Sequence, residues 1–176
     1  SSSVVNIISY QEKEEKNATS KNSGESRTKN GTGIIVTGDG MIATYAPAIG
    51  ITDYKYKVMT HDGNVYEASL MGVDSYSNMA FLKINANNLS AASFADSDSI
   101  KSGEKIIAVA NSLESYANRY AAGLISDLNP NYNLAGMSLS SSEKLEGVYE
   151  TDIDYEKYFV GGPVVDYSGQ VVGMIG

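Results

Sequence analysis

The chain contains no cysteine, no tryptophan, a single histidine (His61) and only three prolines. Without cysteine there is no disulfide, no thiolate nucleophile and no cysteine-based zinc site. That absence does not fix the compartment, because many exported bacterial proteins also lack cysteine. One imidazole limits acid–base chemistry and rules out a histidine cluster for a metal. No apolar run approaches the roughly 20 residues a membrane helix needs, and no leader segment is visible. Lysine and arginine are outnumbered, 13 against 21 aspartates and glutamates, for a formal charge of -8. This argues against nucleic acid as a partner, since phosphate binding needs a basic face. Solubility is the plain reading of the acidity.

What is present favours strands. The chain has 176 residues, 42% of them apolar, enough for a sizeable core in one domain or two small barrels. Seventeen glycines accompany many Val, Ile, Thr and Tyr residues, a composition of strands and tight turns. No segment carries a persuasive 3.6-residue apolar stripe.

Residues 3–9 read as an opening strand. Residues 11–30 are polar with nearly balanced charge, and read as a long mobile surface loop. Residues 31–37 and 41–44 form a hairpin around Gly38-Asp39-Gly40. Residues 54–60 alternate with period two, and His61-Asp62-Gly63-Asn64 turns the chain into strands 65–73 and 79–84. The first half thus reads as a meander of six to seven strands. In the second half, residues 106–110 make a continuous apolar strand and 120–128 another, broken at Gly123. Residues 129–142, with Pro130, Gly136 and four serines, read as a loop. Strands follow at 148–153, 163–166 and 170–175, the last two joined by Tyr167-Ser168-Gly169. Many short strands at regular spacing indicate barrels or a sandwich.

Four segments in register resemble the protease domain of the HtrA (Deg) family. Gly31-Thr32-Gly33-Ile34-Ile35-Val36 with Asp39-Gly40-Met41-Ile42-Ala43-Thr44 resembles that family's G-S-G-V-I-I, D-G and I-L-T-N. Asp62-Gly63, Gly72-Val73-Asp74 and Met79-Ala80-Phe81-Leu82-Lys83-Ile84 resemble its D-G, G-x-D and L-A-V-L-K-I. Ala95-Asp96-Ser97-Asp98, Gly103-Glu104 and Ile107-Ala108-Val109-Ala110-Asn111 resemble G-D-S, V-G-D and V-x-A-I-G-N. Thr151-Asp152, Gly161-Gly162-Pro163-Val164-Val165 and Gly169-Gln170-Val171-Val172-Gly173-Met174 resemble T-D-A, G-N-S-G-G-P-L and G-x-V-I-G-I. The resemblance implies an all-β chain of two six-stranded antiparallel barrels, without the family's PDZ domains. It places the N-terminal barrel at 1–92 and the C-terminal barrel at 93–176, the latter incomplete at its end.

Carried over residue by residue, the resemblance sets the family's catalytic histidine on Pro47, its aspartate on Asn78 and its serine on Val160. In that chemistry the serine oxygen attacks the scissile carbonyl, the histidine carries the proton and the aspartate orients the histidine. Proline carries no proton and valine has no nucleophilic atom. Loss of such a triad costs on the order of a millionfold in turnover. The oxyanion hole uses backbone N–H groups at Val160 and two residues earlier, where Tyr158 replaces a glycine. A Cβ there and a β-branched Val160 are expected to forbid the special turn angles.

Other residues offer little to rebuild catalysis. His61 reads as a solvated turn residue, and Ser140, Ser141 and Ser142 as loop polarity. A serine–lysine pair would need Lys144 or Lys157 desolvated beside a serine. Glu150, Asp152, Asp154 and Glu156 could be imagined around calcium, but no glycine-punctuated loop is present and a solvated strand face is the simpler reading. Asp96 and Asp98 read as turn caps. No metal or other cofactor is expected. Tyr54, Tyr56, Tyr66 and Tyr76 are expected to cover barrel faces.

The expectation is therefore a non-catalytic module that binds a protein or an extended peptide. Tyr155, Tyr158, Phe159, Val160, Gly173, Met174 and Ile175 are the candidate contacts, with the last strand as a free edge for strand addition. The alternatives are an active peptidase with a relocated nucleophile and a structural ectodomain of a membrane-anchored envelope protein. By resemblance the setting is extracytoplasmic, with any membrane anchor outside this chain and no membrane contact by the domain itself.

Overall fold

The computed structural model describes residues 2–12, 27–112, 117–128 and 148–176. Their regular structure is β-strand with three short 3₁₀ turns.

The first sheet contains β1 (Val4–Tyr10), β2 (Thr28–Ile35), β3 (Met41–Tyr45), β4 (Lys55–Met59), β5 (Val65–Asp74) and β6 (Met79–Ile84). It closes into a barrel in the order β1-β2-β3-β6-β5-β4, β4 pairing back onto β1. This is not the meander expected from the sequence. A meander would pair β3 with β4; instead β3 pairs with β6, in the register Tyr45 with Met79 and Ile42 with Leu82. Strand periodicity marks where strands lie, not which neighbour each one takes, and closure removes the exposed edges that an open meander would leave.

Alternation explains the barrel core. In β6, Ala80, Leu82 and Ile84 point inward and are fully buried, while Met79, Phe81 and Lys83 are half-buried. They meet Val5, Ile7, Ile35, Ile42 and Val58. Each large aliphatic side chain taken from water contributes about 1.5–3 kcal/mol. β1 is buried on both faces, Val5 and Ile7 in the barrel core and Val4 and Asn6 on the other side. The second sheet packs there.

That second sheet contains β7 (Lys105–Ser112), β8 (Ala117–Asp127), β9 (Glu150–Thr151), β10 (Pro163–Asp166) and β11 (Val171–Met174), in the order β11-β10-β7-β8-β9. The expectation of six strands is met by five among the described residues. Ile106, Ala108, Ala110, Ile125, Ile153, Phe159 and Val164 form its core.

Several local expectations need correction. β2 begins at Thr28, so residues 28–30 belong to a strand and not to the loop; residues 13–26 lie outside the described residues, as do the expected loop 129–142 and its serines. β8 runs unbroken through Gly123, which pairs with Ile106. Its lack of a side chain admits Asp152 and Ile153, whose atoms a Cβ would meet. The strand expected at 148–153 shrinks to Glu150–Thr151. Tyr56 is buried, its hydroxyl donating to the Gly50 carbonyl at 2.6 Å, but Tyr76 lies 70% exposed in a turn and covers no barrel face.

Candidate functional site at the seam between the sheets

The first barrel brings two of the three candidate positions together by strand pairing. β3 ends at Tyr45 and runs into a 3₁₀ turn, Ala46–Ala48, with Pro47 exposed at its centre. The Ala46 N–H donates to the Asn78 carbonyl at 2.7 Å. Asn78 is exposed and left-handed, with φ 57°. Asparagine tolerates that conformation better than most side chains, because it finds local hydrogen bonds. The turn before it is tied by Asp74, whose carboxylate accepts from the Tyr76 N–H at 3.1 Å and the Ser77 hydroxyl at 2.6 Å. The Ser77 hydroxyl, first among the causes, holds the Asp74 carboxyl below its ordinary range.

The third position arrives from the second sheet. A 3₁₀ turn, Lys157–Phe159, leads to Val160, then to Gly161 and Gly162. Gly161 has φ 85°, and a Cβ there would run into the Thr32 carbonyl oxygen and Thr44 Oγ1. A Cβ on Gly162 would run into the Val109 carbonyl. Backbone of β2, β3 and β7 thus closes on these two residues, and only glycine fits. The Gly161 N–H donates to the Ile175 carbonyl at 2.8 Å, and the Ile175 N–H to the Gly162 carbonyl at 2.9 Å.

The expectation that a β-branched Val160 forbids the turn's angles needs revision. Val160 has φ −58° and ψ 128°, an ordinary extended pair that a β-branched residue adopts easily. The N–H of Val160 is engaged within its own turn. The Val160 N–H donates to the Lys157 carbonyl at 3.2 Å, and the Phe159 N–H to the Glu156 carbonyl at 2.9 Å. A donor spent inside a turn is not aimed at a developing oxyanion.

Sequence reasoning missed Thr32, the hub of the seam. Its hydroxyl is completely buried, donates to the Tyr158 carbonyl at 2.7 Å and accepts from the Asn111 N–H at 3.1 Å. Thr44 Oγ1 donates to the Thr32 carbonyl at 2.8 Å. One side chain therefore joins β2, β7 and the 3₁₀ turn before Val160. The available signal was a hydroxyl residue between two glycines.

The candidate peptide contacts divide. Tyr155 is exposed, and Tyr158 is half-buried with its ring stacked on Phe159 at 5.2 Å. Phe159 and Ile175 are 4% and 6% exposed, so their side chains belong to the core and are withdrawn as contacts. Val160, Gly173 and Met174 are half-buried. β11 is the last strand of its sheet, but its outer side is not wholly open. The Val171 N–H donates to the Ser93 carbonyl at 2.7 Å, and the Ala95 N–H to the Val171 carbonyl at 2.9 Å. Gly173 and Met174 remain as the stretch that no other described strand joins on that side.

Other candidates do not gather here. His61 is exposed in its turn. Glu150, Asp152, Asp154 and Glu156 are all exposed, as the solvated reading expected, but only Glu150 lies in a strand, and the Asp152 Oδ1 accepts from the Leu124 N–H at 2.6 Å. Asp96 does cap its 3₁₀ turn, accepting from the Asp98 N–H at 3.0 Å. Among the described residues, no group of three or more His, Asp or Glu side chains could hold a metal ion.

The family model for the trypsin-like peptidase domain matches residues 31–174, most of the chain and all of this seam. The chain belongs to that family. It is similar over 144 residues, at 33% identity, to a probable periplasmic serine endoprotease, DegP-like, of Chlamydia pneumoniae, covering 82% of this chain and 28% of that protein. It is 32% identical over 122 residues to the serine protease Do-like HtrB of Bacillus subtilis, covering 68% of this chain and 26% of the relative. It is 30% identical over 146 residues to the mitochondrial serine protease HTRA2 of Drosophila virilis, covering 82% and 34%. The chain is thus an HtrA-like trypsin-fold domain, and it spans about a third or less of these relatives' lengths.

Proposed function

We propose that this domain is a catalytically inert member of its family that binds a protein or an extended peptide. One observation carries the reading: the positions that match the family's triad by resemblance hold Pro47, Asn78 and Val160, and the Val160 N–H is bonded to the Lys157 carbonyl. No attacking atom, proton carrier or aimed donor is supplied by these positions. The stretch of β11 at Gly173 and Met174, which no other described strand joins on its outer side, supports binding by strand addition. The names of the relatives support an extracytoplasmic setting. A membrane anchor would lie outside this chain.

Two experiments test this. Incubation of the purified domain with unfolded casein and a serine-reactive phosphonate is expected to give no fragments and no labelled serine. Steady cleavage together with one labelled serine would establish a relocated nucleophile and end the inert reading. A peptide-library pulldown is expected to select extended segments, and Met174→Pro, which removes an N–H on the side away from β10, is expected to abolish capture. Capture that survives this change would remove the strand-addition mode.

A further inference from the structure

Two buried asparagine side chains meet at the seam between the sheets. Asn6 on β1 and Asn111 on β7 are 1% and 5% exposed. Asn6 Nδ2 donates to the Asn111 main-chain carbonyl at 3.1 Å, and Asn111 Nδ2 donates to Asn118 Oδ1 at 3.3 Å. Among the described residues, the Oδ1 atoms of both have no hydrogen-bond partner. The orientation of Asn6 is settled by chemistry, because the opposite amide placement would set two acceptor oxygens face to face. Leaving a buried acceptor unpaired costs about 1–3 kcal/mol, and native interiors seldom tolerate two together.

We infer that one buried water molecule bridges β1 and β7, donating one hydrogen to Asn6 Oδ1 and the other to Asn111 Oδ1. Two lone acceptors match the two hydrogens of a water. They are too few for a hard cation such as calcium, which takes about six to eight oxygens. Both oxygens are buried polar atoms, and a buried water remains only where polar partners hold it. The site adjoins the Thr32 hub, since the Asn111 N–H donates to the Thr32 hydroxyl and that hydroxyl donates to the Tyr158 carbonyl. A water here fastens the two sheets beside the turn that carries Val160, independently of whether the domain binds a peptide.

The test is a high-resolution crystal structure of the unaltered protein. A single ordered peak at about 2.7–3.2 Å from both Oδ1 atoms is expected. Separate waters on each oxygen, or a direct bond between the two amides, would overturn the inference. Oxygen-17 water relaxation dispersion gives a check in solution. Asn6→Leu is expected to hold one fewer long-lived water than the unaltered protein; an equal number overturns the bridge. If that variant does not fold, the crystallographic result decides alone.

Discussion

Gly161 and Gly162 sit where backbone of three strands closes in, whereas Pro47 and Asn78 face solvent beside them. The glycine turn has no space for a single extra carbon. The other two positions constrain only their own local turns, and Val160 occupies an ordinary extended conformation. The contrast separates two kinds of residue at one place in the fold. Residues that pack against backbone are held by the stability of the whole domain. Residues whose use would be chemical can carry inert side chains without disturbing the fold.

Substitution within the turn should break this contrast most severely. Gly161→Ala meets both a left-handed φ and backbone contact, and is expected to destabilise the domain by about 3 kcal/mol or more. Thermal and urea melts measure it; a loss under about 1 kcal/mol would show that the seam yields easily. Thr32→Val keeps the shape but strands the Asn111 N–H and the Tyr158 carbonyl, for an expected loss of about 2–4 kcal/mol. Amide exchange at Val160 and Gly161 should accelerate in the same variant, because the hydroxyl holds the preceding turn.

The solvent-facing positions should respond far less. Asn78→Ala is expected to cost about 1 kcal/mol for its left-handed φ, and Asn78→Gly less than that. Pro47→Ala should fall within about 0.5 kcal/mol of the starting stability. The combined change Pro47→His, Asn78→Asp, Val160→Ser should leave the domain folded but unable to cleave casein, since the Val160 N–H is committed to the Lys157 carbonyl. Cleavage by this triple variant would show that three side chains alone separate the domain from an enzyme.

The smallest effect concerns pH. Asp166 accepts from the Ser168 hydroxyl at 2.7 Å and from the Ser168 and Gln170 N–H groups at 2.9 Å each, tying the β10–β11 turn. The Ser168 hydroxyl, the first cause, lowers its pKa. Asp62 and Asp74 are lowered likewise, by Thr60 and Ser77 first. A carboxyl with a lowered folded pKa stabilises above its unfolded value and loses that contribution as pH falls through the folded value. Asp62 and Asp74 are exposed and Asp166 is half-buried, so solvent screening keeps the effect modest. Asp166→Asn should give a shallower fall in melting temperature below the ordinary carboxylate range. An unchanged slope would exclude Asp166 as a contributor.

Much of the strand layout was legible before any coordinates. β6 and β10 have the bounds their alternation and glycine punctuation suggested, and Asp96 caps as its turn implied. Legibility failed where the deciding contact came from far along the chain. Gly123 looked like a break because glycine weakens a strand, but Asp152 and Ile153 require its bare Cα. Phe159 and Ile175 resembled surface anchors, but the core of the second sheet takes both. Thr32 carried only the weak mark of a hydroxyl between two glycines, since its partners lie 79 and 126 residues away.

The sequence by itself determined that the domain is built of strands and that proline, asparagine and valine stand at positions 47, 78 and 160, because alternation, turn chemistry and functional groups are local properties. Tertiary structure alone decided that β3 pairs with β6, that the Val160 N–H is spent on Lys157, and that Asn6 and Asn111 meet in a buried polar seam. Pairing partners, hydrogen-bond direction and desolvation arise only when distant segments share space, and no short window of residues encodes them.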